Sequence, residues 1–440
     1  MTKILSTIGP ASEGKKLKYF IDNSDLVRLN MSHNSLTWHK KNIKEIKKTN
    51  PNMLILVDIP GIKPRTTNKK TISIKKGQEV KFSYRKFTNS NKIIPLSNPL
   101  PNIKKKSKIF YLSDGSYEFK NLKFKNQILS GIACQSFDLK PYKGLNIPLS
   151  IYNDIIQEKL YFSFIKKIYK LNIDCIGISF IQNPKILLKI KKQYPKFILI
   201  SKIENYLGYQ NRKEIINNSD AVMIDRGDLA AEVGVLKLSE FSDDIIYDTK
   251  KMGKSVIIAT ENLNSLIFNT VPTKSDIVNI EYYIQKKIDY IMLSDETATS
   301  NNSKNTIKWL RNYIKNKQNK IIKTKHLHIE QLIKNLNNQT LVVFSKKGYI
   351  YDKISKHEFN NLIMFTENIW LKKILHLKKN HKSIFVKFPK KYLYGFLYEN
   401  IKKNKHIIFN KNKYAYLLNV IFPRKNSRLN TISVIEKKDF

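Results

Sequence analysis

Two short stretches of the 440-residue chain set both signs of charge at the ends of apolar runs. "FILISKIEN" ends in Lys202 and Glu204, and "AVMIDRGDLAAEVG" carries Asp225, Arg226, Gly227 and Asp228. Lys202 and Glu204 are separated by one residue, so on a strand they point to the same side. Glu204 and Asp228 are hard oxygen ligands on successive runs, which suits a divalent ion such as Mg²⁺ that retains several waters. Other runs end in the same manner. "LVRLNMSH" supplies Arg28, Asn30, Ser32 and His33, and "MLILVDIPG" supplies Asp58, with Lys63 and Arg65 just beyond. "CIGISF" closes on Ser179 and Phe180, "SVIIAT" on Thr260, and "YIMLSDET" supplies Ser294 and Glu296. Arg28, Arg65 and Lys202 offer positive charge to a phosphoryl group, whose transfer depends mostly on positioning and charge stabilisation. Thr260 and Ser294 can orient water or pass protons. Taken singly, each residue has a bland explanation. A Lys-x-Glu is ordinarily a solvated strand edge, an Arg-Gly-Asp a turn, and a lone histidine such as His33 a satisfied helix-start residue. Recurrence of the pattern at successive run ends argues against all of these together.

The elements that must position these residues are legible as eight short β-type runs, beginning with "KILSTIG". Between most of them lie Lys-rich amphipathic segments such as "PKILLKIKKQY" and "SDDIIYDTKKMGK". Strands alternating with helices imply a parallel sheet. Eight such units close into a (β/α)8 TIM barrel, whose active site lies at the C-terminal strand ends. Two segments break the alternation. "TISIKKGQEVKFSY", "KIFYLSDGSYEFKNLKF" and "ILSGIACQSF" predict a small all-β insertion after the third strand, over residues 67–142. "TLVVFSKKG", "NNLIMFTEN", "KSIFVKF" and "NTISVIEKKDF" predict a C-terminal α/β domain over residues 318–440. The barrel then occupies residues 1–66 and 143–317.

A hydrophobic content of 41% is ample for a large core. No apolar run reaches the length of a membrane span, and "MTKILSTIGP" lacks a signal-peptide layout, so a cytoplasmic protein is expected. Cys134 and Cys175 fit no metal or redox spacing. The net charge of +45 could mark a nucleic-acid binder. The excess is nearly all Lys, spread along the chain beside abundant Asn and Ile, with no Arg-rich or aromatic-interleaved tract. That is the signature of an AT-rich coding bias, and it weighs against nucleic acid as a partner.

In order along the chain, "TIGPAS", "VRLNMSH", "SKIEN", "RGDLA", Pro272–Thr273 and "SDETA" resemble the motifs of pyruvate kinase. "KGLNIP" at Lys143–Pro148 resembles the return from that family's inserted lid, and "MFTEN" and "NTISVI" carry the likeness weakly into the last domain. The resemblance implies a phosphotransferase of glycolysis moving a phosphoryl group from phosphoenolpyruvate to ADP, giving ATP and pyruvate. It implies a TIM barrel with an inserted small β-barrel lid and a C-terminal α/β domain, assembled as a homotetramer. On it, Lys202 stabilises the transferring group, Glu204 and Asp228 hold Mg²⁺ or Mn²⁺, and Arg28, Gly227 and Thr260 contact substrate with Lys202 and Asp228. Ser294 and Glu296 support enolate protonation. Asn30, His33, Arg65 and Lys143 fall on the nucleotide side, and Asn30, Ser32 and Asp58 match a monovalent-cation site. Lys63 stands where K⁺-dependent members carry an acid, and Ile59 where they carry Thr. A tethered ammonium can supply a monovalent charge, so K⁺ is expected not to be required.

The chain also departs from that family's pattern. Asp225 replaces a small apolar residue, Ala230 a Gly, Glu261 and Asn262 a Gln and a Met, and Asp295 a Gly or Ala. The lid's acidic pair is reduced to Ser113–Asp114, and "FSKKGYIYDK" replaces the Ser/Thr-rich phosphate loop of regulated members. Added acids should weaken binding of an anionic substrate unless they face outward or pair with Lys. The competing expectations are a degenerate relative with weak activity and a basic nucleic-acid-binding protein.

Overall fold

The computed structural model of the protein describes residues 2–84, 93–103, 107–113, 115–317, 336, 338–348, 350–389, 394–410, 412–421 and 429–440. Asp114 and the stretch 318–335, where the last domain boundary is expected, lie outside them. The eight expected runs form eight parallel strands in one closed barrel: Lys3–Thr7, Leu26–Asn30, Ile55–Ile59, Cys175–Ile178, Ile198–Ile203, Ala221–Asp225, Ser255–Ala259 and Tyr290–Leu293. Each strand pairs with its sequence neighbour, and the last closes on the first through Ile4 opposite Ile291. The strands are rich in Ile, Val and Leu because helices cover their outer faces and the barrel core covers their inner ones.

A two-residue period decides which side chains enter the barrel. Val27, Val57, Leu199, Ile203, Val222, Ile224 and Ile258 belong to the outer core under the helices. Leu26, Leu56, Ile198, Ile200, Ala221, Met223 and Ile257 belong to a separate inner core. Continuing the inner phase toward the C-terminal rim gives Arg28, Asp58, Lys202, Glu204 and Asp225. The strands are apolar inside to about mid-height and charged above it. The inner core also takes in Leu341, Val343, Leu362 and Met364, so the barrel floor and the C-terminal domain share one apolar cluster.

The insertion is a six-stranded sheet plus a two-stranded ribbon, both of short strands. Among the described residues its two outer strands, Ile93–Pro95 and Leu145–Asn146, are joined through the entering chain, where the Thr67 N–H donates to the Pro95 carbonyl and the Leu145 N–H to the Pro64 carbonyl, in keeping with the small β-barrel implied by the resemblance. Its pairing also extends past the expected limits: Arg65 bridges Gly144, and Leu145–Asn146 pairs with Phe110–Leu112. The core is a cluster of Phe82, Phe110 and Phe119, the last two stacked with centroids 4.6 Å apart. The C-terminal sheet has five strands, with Leu429–Glu436 antiparallel at one edge. Sequence reasoning missed the strand Tyr414–Ile421, whose "YAYLLNVI" sits between masking Lys and Asn residues.

Candidate active site

Lys202 is the hub of the open barrel end. Its Nζ lies 2.7 Å from Glu204 Oε1, 3.2 Å from Asp58 Oδ2 and 3.3 Å from Asp225 Oδ2, and it donates to Ser179 Oγ at 3.3 Å. The side chain is 5% exposed. Burial alone would strip an ammonium of its proton, but the carboxylates of Asp58, Glu204 and Asp225 outweigh it and raise the Lys202 pKa. Lys202 is therefore a fixed positive charge at any physiological pH.

Arg28 is locked against the same cluster. Its Nε and Nη2 donate to Asp58 Oδ2 at 2.9 and 2.6 Å, and its Nη1 donates to Thr7 Oγ1 at 3.1 Å. Asp58 Oδ1 accepts from Ser179 Oγ at 3.1 Å. Burial works against the Asp58 charge, yet Lys202 and Arg28 hold its carboxyl below the ordinary range. Gly177 makes room for it, since a Cβ there would lie 2.9 Å from Asp58 Oδ1. Ser179 was legible only as a strand end, and its hydroxyl proves to bridge Asp58 and Lys202.

Glu204 is fully buried, and its Oε2 accepts from the Phe180 N–H at 2.5 Å. Burial pushes its carboxyl well above the ordinary range; Lys202 opposes this, and Asp225, Asp228 and Asp58 add to it. Its Oε1 faces Lys202 but receives no hydrogen bond of good geometry. Glu204, Asp225 and Asp228 each offer a carboxylate oxygen, and these lie within 4.8 Å of one another. Such a donor set fits a hard divalent cation.

Lys63 pairs through its Nζ with Asp228 Oδ1. Lys63 thus stands at the mouth, on Asp228, whereas Asp58 is taken by Arg28 and Lys202. The reason is geometric. Lys63 follows its strand by several residues, and its Nζ lies over the Phe180 ring, 5.8 Å from the centroid. Of the remaining expected trio, Asn30 Oδ1 accepts from the Ser32 N–H at 3.0 Å.

Thr260 Oγ1 donates to Asp225 Oδ1 at 3.0 Å and accepts from the Gly227 N–H at 3.1 Å. Its backbone is left-handed, with φ 62°, which turns the chain back over the mouth. Arg226 is directed elsewhere: its guanidinium bonds Asn279 Oδ1, the Thr260 carbonyl and Asn262 Oδ1. Ser294 Oγ is buried with no hydrogen-bond partner among the described residues. Glu296 accepts from the N–H groups of Ser294 at 2.7 Å and Leu263 at 3.3 Å, so it staples two barrel loops together. His33 lies on the rim, where partial desolvation, and then the charges of Arg65 and Arg28, lower its pKa. Arg65 Nη1 donates to the Tyr142 carbonyl at 3.3 Å, and the Lys143 backbone is tied to Thr66, so both follow the entry and return of the insertion.

A second buried acid went unnoticed in the sequence. Glu232 lies on the helix Arg226–Val233, one turn beyond Asp228, and its Oε1 accepts from Asn146 Nδ2 and Tyr152 Oη, each at 3.0 Å. Asn146 ends the returning strand, so this carboxyl ties the hinge to the barrel. Burial raises its pKa to about 8, against the lowering effects of Asn146, Tyr152 and Lys63, while Asp228 adds to the rise. A folded pKa above the unfolded value means the native state holds the extra proton. Stability from this group is complete below about pH 4, falls as pH rises, and is lost once pH passes about 8. Thermal melts from pH 5 to 9 should show wild type losing ground to Glu232→Gln as pH rises. A constant gap between the two would contradict this placement.

Comparisons with known proteins place the chain among relatives. A family model described as pyruvate kinase, barrel domain, matches residues 1–307. The pyruvate kinase of Thermococcus litoralis is 31% identical over 310 residues, covering 68% of this chain and 65% of that protein. That of Staphylococcus saprophyticus is 31% identical over 334 residues, covering 71% of this chain and 56% of that one. The matched part thus spans less than two thirds of the length of these curated relatives. A crystal structure of a pyruvate kinase from Cryptosporidium parvum superposes with a TM-score of 0.82 at 22% identity, covering 99% of this chain and 96% of that one. That likeness concerns the fold. With more than half the chain matched by the family model and the charged rim on the same barrel, the chain belongs to the pyruvate kinase family.

Proposed function

We propose that the chain transfers the phosphoryl group of phosphoenolpyruvate to ADP, giving ATP and pyruvate. The observation that carries this is the permanently charged Lys202, held at the barrel mouth by Asp58, Glu204 and Asp225. The P–O bond of the donor breaks as one forms to the terminal oxygen of ADP, and the enolate left behind takes a proton at carbon. Lys202 balances charge on the group in flight, and Arg28 offers a fork already oriented by Asp58 and Thr7. Ser294 Oγ holds a proton near the enolate, with Glu296 fixing its loop. His33, Arg65 and Lys143 serve the nucleotide, and the insertion closes over it to exclude water. Glu204 and Asp228 hold Mg²⁺ or Mn²⁺, which when bound neutralises charge on phosphate oxygens. Lys63 makes K⁺ unnecessary. The protein works in the cytoplasm as a homotetramer; among the described residues no helix is long and apolar enough to cross a membrane.

A coupled assay of pyruvate formation tests the reaction. Absence of pyruvate above the enzyme-free rate, with either Mg²⁺ or Mn²⁺, would overturn it. Asp225 favours a second reading, a relative with weakened turnover, because its buried charge lies where an anionic substrate must bind. Glu204→Gln and Asp228→Asn are each expected to raise the metal concentration for half-maximal activity by at least about tenfold. Superimposable metal titrations would remove both residues from the site.

A further inference from the structure

We propose that Asp225 is a third carboxylate of the divalent-cation site, which therefore takes its metal in the absence of substrate. The inference rests on the metal reading given above. Ile203 pairs with Ile224, so the next residues, Glu204 and Asp225, stand abreast on neighbouring strands at the rim. Asp225 also occupies the N-cap position of the helix Arg226–Val233, where an aspartate ordinarily accepts from the helix's first N–H groups. It makes no such bond. Its carboxylate turns into the barrel instead, toward Lys202 at 3.3 Å and Thr260 Oγ1 at 3.0 Å. There it joins Glu204 and Asp228, the three offering carboxylate oxygens within 4.8 Å of one another. Lys202 and Thr260 hold the carboxylate in this orientation, and the orientation places it to share a metal with Glu204 and Asp228.

The charges explain what a third carboxylate changes. Mg²⁺ is ordinarily held by one or two carboxylates plus substrate phosphates. With only two, much of the affinity arrives with the substrate. With every carboxylate ionised, as ligation of a metal requires, the contacting groups are Asp58, Glu204, Asp225 and Asp228 against Arg28, Lys63 and Lys202, one negative charge in excess. Such a site repels an anion. A divalent ion leaves the set one positive charge in excess, so an anionic substrate is attracted only after the metal is in place. The order of binding, metal before phosphoenolpyruvate, follows from this count.

The test is Mn²⁺ binding to the substrate-free protein, read by the electron paramagnetic resonance of the free ion. Wild type should bind one Mn²⁺, and Asp225→Asn should weaken it by about tenfold or more. Asp225→Asn keeps the size of the side chain. Should it not fold, Asp225→Ala restores a small residue and removes a buried charge. Wild-type affinity in the Asp225 variants, with weakened binding in Glu204→Gln and Asp228→Asn, would overturn the third ligand and leave the proposed function standing. Unchanged binding in all four would overturn the metal site as well. In the second arm, phosphoenolpyruvate binding is measured by calorimetry without metal. It should be undetectable for wild type and measurable for Asp225→Ala; equal binding by both would contradict the charge argument.

Discussion

Lys202→Ala is expected to lose phosphoryl transfer by a hundred- to a thousandfold or more, since removal of one positioned charge at a transition state has about that effect. The structure adds a second consequence. Asp58, Glu204 and Asp225 all lean on this ammonium in a buried place. Breaking a buried ion pair from one side typically costs about 3–5 kcal/mol, because the partner charge is left uncompensated. Glu204, already pushed up by burial, will take a proton and absorb part of that cost. The alanine variant should therefore be both inactive and lower-melting. Lys202→Arg separates the two effects, since the charge stays while the compact ammonium is replaced by a planar fork. It should melt close to wild type and still be slow. Near-full turnover in the alanine variant would remove Lys202 from the chemistry.

The barrel was legible because eight short Ile- and Val-rich runs alternate with amphipathic helices, a pattern set by burial on both faces of each strand. Most of the site was legible for the same reason. Once the inner phase of "ILISKI" is known, Lys202 and Glu204 must share it, and the structure keeps them on one carboxylate cluster. What the sequence hid is long-range pairing. "VDIPGIKPR" places Lys63 near the mouth but does not say which of several carboxylates it meets, because its loop is not bound to the strand period. Asp225 read as a misplaced acid, since its turn away from the helix it precedes is a torsional choice. Glu232 has the spacing of an ordinary helix residue, and only the return of the inserted domain makes it a buried hinge contact. Most of the insertion's strands carry too few residues for a period to show, so their sheet order could not be read in advance.

Lys63→Glu should lower activity by about tenfold or more in K⁺-free buffer, and added KCl should restore part of the loss. The substitution changes the mouth by two charges. At roughly 4 Å and the effective screening of a protein surface, one charge pair is worth about 4 kcal/mol. Reversal beside Asp228 therefore replaces a large attraction by a repulsion of similar size. The variant would set an acid among Asp58, Glu204, Asp225 and Asp228, giving the site a deficit that a monovalent cation can relieve. In wild type the deficit is met by the Lys63 ammonium, buried to 3% exposure and steadied over the Phe180 ring. Its pairing with Asp228 does not remove that charge from the mouth, because Asp228 offers its carboxylate within 4.8 Å of those of Glu204 and Asp225. The measurement is activity at constant ionic strength as KCl replaces a tetraalkylammonium salt. Wild type should be flat across the titration and Lys63→Glu should rise. A steep rise in wild type would show that the ammonium does not serve as the monovalent charge. A flat, low response in the variant would show that Lys63 acts on Asp228 alone.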